Sequence, residues 1–228
     1  MSKTAPHWLK QSLRELVILV IGILLSLWVS SLFQNAQDHK REQTYLERLQ
    51  QDLTKDLEQL NSQMKQRQGQ VEASQSMLRT LNGNQEQQRS AMVGGFQQLL
   101  WTARFSSNDA TFRSLESTGD LRLIRNDSIV SSVMDLYRRH YQALQDNNND
   151  VTKYRDNYLL AYTTENVNFR KAFNPTLGSP TPDNLDQLYN HLVYENITLQ
   201  STVNAYKRSI KYAEQLKRLI DRELGSEH

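Results

Sequence analysis

The sequence predicts an all-α protein, an N-terminal transmembrane helix followed by an elongated helical bundle, on three observations. Eight Gly and four Pro in 228 residues leave few turn signals. Leu16 to Phe33 run for eighteen positions without a charge. Beyond them, apolar side chains recur at three- and four-residue spacing, and no segment sustains the period-two alternation of a strand.

Composition narrows the function classes. Lys and Arg number 27 against 25 Asp and Glu, a net charge of +2, so nothing in the overall charge calls for a nucleic-acid partner. Cysteine is absent, which removes disulfides, thiolate metal sites and thiol catalysis together. With 38% hydrophobic residues and a mean hydropathy of -0.69, several membrane spans are excluded.

Residues 1–15 read as a short basic tail, and residues 16–36 as the transmembrane helix. Eighteen apolar residues at about 1.5 Å each cover roughly 27 Å, close to the hydrocarbon core of a bilayer. The run exceeds the apolar region of a cleavable signal peptide, and no A-x-A-like site follows. Lys3, Lys10 and Arg14 against Glu15 account for the entire +2. That placement predicts a cytoplasmic N-terminus and a periplasmic C-terminal domain, in a bacterial inner membrane. Gly22, Ser26 and Ser30 share one helix face, the small-xxx-small spacing of a helix-packing surface.

Residues 37–228 read as the helical domain. The stripe Leu46, Leu49, Leu53, Leu57, Leu60, Met64, Val71, Leu78 and Leu81 predicts a long helix over 37–81. Its 4-4 step at Leu49-Leu53-Leu57 breaks a strict heptad, pointing to a bundle helix rather than an extended two-stranded coiled coil. Asn82-Gly83-Asn84 is a turn, and a second long helix covers 86–105, weakened by Gly94-Gly95. Ser106 to Asp109 cap a short helix over 109–118, stopped by Gly119. Asn126-Asp127-Ser128 cap a helix over 128–172, whose stripe keeps phase through 146–150; a loop at 146–150, giving two helices, is the alternative. Gly178 to Pro182 is a loop; a short helix over 184–193 and a long one over 195–224 complete the chain.

Two stretches carry a family resemblance. HKREQTYLERLQQDLTKDLEQL (39–60) contains the Tyr45-Leu46…Leu49…Asp52-Leu53 spacing. The stretch 110–141 contains Thr111…Leu115…Gly119…Leu121…Ile124…Asn126 before a helix ending in tyrosine. Both resemble an uncharacterised family of bacterial single-pass membrane proteins with an N-terminal spanning helix and a helical soluble domain. The resemblance covers about the first two thirds of the chain. It implies topology and helical fold, and brings no activity.

Catalytic patterns are missing. Five scattered histidines form no H-E-x-x-H, and His191 with Glu195 at i,i+4 supplies two ligands where a metal site needs more. Ser62-Gln63-Met64-Lys65 matches S-x-x-K without its companion motifs. The expectation is therefore a non-enzyme with no metal and no cofactor. All tyrosines but Tyr45 lie from Tyr137 onward, and Arg122, Tyr137, Arg138 and Tyr141 are grouped as a candidate partner or ligand patch, since Tyr and Arg are enriched in binding hot spots. Lys207, Lys211, Arg218 and Arg222 give the last helix a basic face. The expected role is a membrane-anchored interaction or scaffold protein, contacting the lipid bilayer and either a second copy or another membrane or envelope protein. The alternative is a ligand-sensing bundle that signals through a partner membrane protein.

Overall fold

The computed structural model describes residues 7–83, 92–101, 104–168, 170 and 183–225, with side chains from Glu15 onward except Val93. Among the described residues there are five helices. Helix α1 is His7–Leu81, α2 Met92–Leu100 and α3 Ala110–Thr118. A 3-10 turn, Asp120–Leu123, follows. Helix α4 runs through 127–166 as Asp127–Met134, Tyr141–Tyr154 and Leu160–Asn166, joined by π-helical turns Asp135–His140 and Arg155–Leu159. Helix α5 is Leu185–Gly225. Among the described residues there is no strand ladder.

Several boundaries differ from expectation. The segment expected to span a membrane and the helix expected over 37–81 are one element of 75 residues, on the order of 110 Å long. No Gly-Pro signal or N-cap separates them, and Gln34-Asn35-Ala36-Gln37 carries the helix out of the apolar run. The helices expected over 184–193 and 195–224 are likewise a single α5. Helix α2 is shorter than 86–105: Arg104 to Asp109 are non-helical, and residues 84–91 lie outside the described set. Helix α4 ends at Asn166, short of the expected 172, because Val167 turns to extended backbone and Asn168 is non-helical; residues 169 and 171–182, including the loop expected at 178–182, lie outside the described set. Positions 146–150 are helical, within Tyr141–Tyr154.

Helices α1 and α5 run antiparallel. Gln50 Nε2 donates to Asp221 Oδ1 at 2.6 Å, Asn196 Nδ2 to the Val71 carbonyl at 3.4 Å, and Ser74 Oγ to the Leu192 carbonyl at 3.2 Å. The inward positions of α5 alternate strictly by four and three: Leu188, Leu192, Glu195, Leu199, Thr202, Tyr206, Ser209, Ala213, Leu216 and Ile220. Those of α1 do the same through Glu42, Leu46, Leu49, Leu53, Asp56 and Leu60, then Arg67, Gln70, Ser74 and Met77. A repeat of 3.5 residues keeps one seam facing a partner helix over a long distance. The heptad break expected at Leu57 is thus not a break. Asp56 holds the inward position, and Leu57, Met64, Val71 and Leu78 lie half-buried beside the seam.

Two apolar cores result. The first, nearer the apolar run, joins Leu46, Leu49, Leu53, Phe112, Leu115, Ile129, Leu136, Tyr141 and Leu216 among others. The second joins Met77, Met92, Phe96, Leu99, Leu159, Tyr162, Leu188 and Leu192. Each fully buried Leu contributes about 1.5–3 kcal/mol by transfer from water. Helix α4 serves both cores. Its inward steps are four and four at Val133-Tyr137-Tyr141 and at Val151-Arg155-Leu159, longer than a 3.6-residue helix can hold in phase. The π turns fall on these two sites and absorb the extra residue.

The double glycine on α2 divides its labour. A Cβ on Gly95 would collide with Met77 Sδ and Cγ, whereas one on Gly94 meets nothing within 4 Å. Gly95→Ala is expected to destabilise the domain by about 1–3 kcal/mol, from overpacking against α1. Gly94→Ala should stabilise it by up to about 1 kcal/mol, from helix propensity. Thermal melts of the two variants test this; shifts of the same sign would contradict the packing role.

Candidate functional site

Three of the four residues grouped from the sequence line one cleft. Tyr137, Arg138 and Tyr141, on α4, face Phe112, Arg113 and Glu116 of α3 across a space of about 370 Å³. Its floor is aromatic: Phe112 stacks on Tyr137 at 4.9 Å and 8°, and Tyr141 meets Tyr137 and Phe105 edge-on. Its rim charges are already paired, Arg138 with Glu116 and Arg113 with Asp109 at 2.7 Å. Arg122 is elsewhere. It sits exposed on the 3-10 turn after Gly119, whose φ of 74° permits the chain to leave α3 there.

Beneath the cleft floor lies a buried carboxylate. Asp56 Oδ1 accepts from the Asn108 backbone N–H at 2.7 Å and from its side-chain amide at 2.8 Å. The Tyr137 hydroxyl donates to the Asn108 carbonyl at 3.3 Å. Burial raises the Asp56 carboxyl above the ordinary range, against the pull of Asn108. It also raises both the Tyr137 and Tyr141 phenols, with the Asp56 charge adding to the effect. These tyrosines are therefore neutral hydroxyls at any physiological pH. The chemistry on offer is hydrogen bonding and stacking, as in a recognition surface.

A second polar cluster sits between the apolar cores and was not singled out from the sequence. Arg67 is fully buried; it donates to Gln70 Oε1 and to Asn148 Oδ1, both at 2.9 Å. Gln70 in turn donates to the carbonyls of Gln98 and Trp101 at 3.0 and 2.8 Å, which satisfies the C-terminal end of α2. The Asn148 amide reaches the Leu144 carbonyl and the Tyr206 hydroxyl. Arg155, 5% exposed, pairs with Asp156 at 2.7 Å. Glu195 completes the layer with no exposed surface and no hydrogen bond to either carboxylate oxygen. Burial pushes its carboxyl up to about 7, although the charges of Arg67 and Arg155 pull the other way. The one available signal was positional: Arg67, Gln70, Asn148 and Glu195 all fall on inward steps of their helices.

Glu195 and His191 do not act together. The His191 ring bonds through Nδ1 to the Tyr154 hydroxyl at 2.9 Å. His191 belongs instead to an aromatic group in which Tyr154 lies 4.2 Å from Tyr194 and 5.0 Å from Tyr158, ring to ring. Tyr158 and Tyr194 are about half exposed, at 53% and 50%. Burial pushes the Tyr154 phenol up to about 12. Ser62 and Lys65 are exposed on α1.

The apolar run is uncovered. From Leu16 to Phe33 its large side chains are between 44% and 76% exposed, and its mean hydropathy over eighteen residues is 2.7. Gly22, Ser26 and Ser30 lie on one exposed face of it.

Residues 15–162 match a protein family described as a family of unknown function, DUF6090. No curated protein matches the chain, and no solved structure does.

Proposed function

The chain belongs to the DUF6090 family, and since membership brings no activity, we propose from its own structure that it is a membrane-anchored, non-enzymatic helical interaction protein. One observation carries the reading. A single unbroken helix is exposed and apolar at one end and forms the longest wall of the domain at the other. An isolated apolar run of this length has a place in hydrocarbon and none in water. In this reading the N-terminus is cytoplasmic and the domain periplasmic in a bacterial cell, an orientation that the basic residues Lys3, Lys10 and Arg14 favour. The half-exposed tyrosines of α4 and α5 supply an amphipathic contact face for a second copy or another envelope protein. Neither a nucleic acid nor a cofactor enters this reading.

The α3–α4 cleft favours a second reading, in which the domain senses a small ligand and signals through a partner membrane protein. Paired charges around an aromatic floor suit a neutral or zwitterionic molecule.

A phosphatase fused after His228 tests the anchored topology and is expected to be active, with the fusion resisting carbonate extraction from membranes. An expressed but inactive fusion would reverse the orientation, and release by carbonate would remove the anchor. Photocrosslinkers at Tyr158 and Tyr194 should capture a protein partner. Crosslinking unchanged by either position, alongside ligand-dependent thermal stabilisation, would favour the sensing role.

A further inference from the structure

The two buried arginines of the polar layer also hold the C-terminal end of α2. Arg67 does so through Gln70. Its Nη1 donates to Gln70 Oε1 at 2.9 Å, which turns the Gln70 amide so that Nε2 donates to the Gln98 and Trp101 carbonyls at 3.0 and 2.8 Å. Arg155 reaches the Trp101 carbonyl directly, from Nη1 at 3.4 Å. The last carbonyls of a helix have no partner within it. Apart from the packing of Phe96 and Leu99 in the second core, these bonds fix the end of α2.

Glu195 competes for the same two side chains. It has no exposed surface and no hydrogen bond to either carboxylate oxygen. The charges of Arg67 and Arg155 both act on it, yet among the described residues neither forms an ion pair with it. A neutral carboxyl tolerates such a place at far lower cost than a carboxylate, which must find donors or stay protonated. The acceptors that the arginines use instead, Gln70 Oε1, Asn148 Oδ1 and the Trp101 carbonyl, are neutral.

The groups around Glu195 come from every helix of the layer. Helix α1 presents Arg67 with Gln70, and α4 presents Arg155, paired with Asp156, and Tyr154, on which the Glu195 charge acts. Helix α2 brings backbone carbonyls to the layer. On α5, Tyr206 faces Arg67, and His191 is bonded to the Tyr154 hydroxyl. Burial pushes the Tyr154 phenol up to about 12, raises that of Tyr206 and lowers the His191 imidazole. Burial also lowers Arg67, but a guanidinium keeps its proton across physiological pH. Near neutrality Glu195 is therefore the member of the layer that changes charge.

We propose that Glu195 is a proton-operated latch on α2: protonated, it leaves Arg67 and Arg155 to hold the end of α2, and ionised, it draws those guanidinium groups to itself and lets that end go. The proton leaves to solvent. The guanidinium–carboxylate bonds that form are about twice as strong as the bonds to neutral acceptors that break. Once Arg67 turns away, the Gln70 amide loses the bond that orients it, and the Gln98 and Trp101 carbonyls lose their donors. The latch works whether or not the apolar run lies in a membrane.

Hydrogen–deuterium exchange of the full chain in detergent, corrected for the intrinsic pH dependence of amide exchange, tests it. In the parent, protection of Phe96–Trp101 is expected to fall by about thirtyfold between pH 5.5 and 8.5, the most that a carboxyl raised to about 7 can drive over that range. Local release exposes little surface, so this exchange should be insensitive to low urea, whereas exchange at Ile129–Leu136 in the first core should respond to it. Glu195→Gln should abolish the pH dependence, and His191→Gln should leave it intact. Gln70→Met, which removes the amide that Arg67 orients, should bring Phe96–Trp101 to the released level already at pH 5.5. Protection that does not change with pH in the parent would overturn the latch, as would full protection in Gln70→Met. A pH dependence that survives Glu195→Gln, or disappears in His191→Gln, would overturn the assignment to Glu195. The same urea response at Phe96–Trp101 as at Ile129–Leu136 would show that α2 is released only by unfolding of the whole domain, and would overturn the latch too.

Discussion

Glu195→Gln is expected to leave the protein nearly as stable as the parent at pH 5 and more stable at pH 8, by on the order of 3 kcal/mol. The sign follows from the direction of the shift. Burial raises the folded-state carboxyl from 4.5 to about 7, so the folded protein holds this proton more tightly than the unfolded chain does. The resulting stability is fully present below about pH 4.5 and is lost as pH rises through 7. Glutamine cannot titrate, so its curve lacks that loss. Desolvation is the governing effect because the side chain has no exposed surface and neither oxygen accepts a hydrogen bond. Arg67 and Arg155 keep the shift from being larger. Asp56, also raised by burial, adds a slope of the same sign to both curves and cancels in their difference. Thermal unfolding of the full chain in detergent between pH 5 and 8 measures it. Parallel curves would show that Glu195 is not the titrating group.

Arg67→Ala is expected to cost about 3–5 kcal/mol, the usual penalty for breaking a buried charged network from one side. The loss leaves Gln70 Oε1 without its Arg67 donor, a desolvated acceptor worth about 1–3 kcal/mol when orphaned, and leaves Asn148 Oδ1 with only the Tyr206 hydroxyl at 3.4 Å. It also removes one of the two cations facing Glu195, and the Glu195 carboxyl should then titrate above its parent value. Arg67→Met combined with Glu195→Gln should recover part of the stability, because volume is kept and both buried charges are gone. Denaturant unfolding followed by circular dichroism of the parent, Arg67→Met, Glu195→Gln and their double gives the four values of the cycle, and the same measurement on Arg67→Ala gives the loss. An Arg67→Ala loss below about 1 kcal/mol would mean that the network is not holding the two cores together.

What the sequence could and could not disclose follows from the same layer. The apolar run, the stop at Gly119 and the Asn126 cap were legible because each depends on local chemistry: a charge-free length, a positive φ, and a side chain accepting the Ser128 N–H. The seam of α1 departs from the apolar stripe at four residues. Leu57, Met64, Val71 and Leu78 are apolar yet lie beside it, while Asp56, Arg67, Gln70 and Ser74 are inward because the 3.5-residue repeat puts them there. That departure conceals the whole polar layer, since Arg67, Gln70 and Ser74 on α1 look like a solvated face until a partner helix covers them. The candidate patch shows the converse. Helical spacing alone brings Tyr137, Arg138 and Tyr141 to one cleft, whereas the place of Arg122 depends on the path of the 3-10 turn, which carries it away from that cleft. Continuity of α5 across Tyr194 was visible only as the absence of a breaker.

The unbroken course of α1 has a mechanical consequence. From Phe33 to Leu81 the helix extends about 72 Å, and transmembrane helices tilt by about 20° from the bilayer normal on average. A lever of that length converts such a tilt into a sideways travel of about 25 Å at its far end. In the proposed membrane-anchored arrangement, with no hinge between apolar run and core, a change in membrane thickness or in a helix docked beside the run would be felt as a swing of the entire domain. Small reorientations inside the lipid would thereby become large displacements in water.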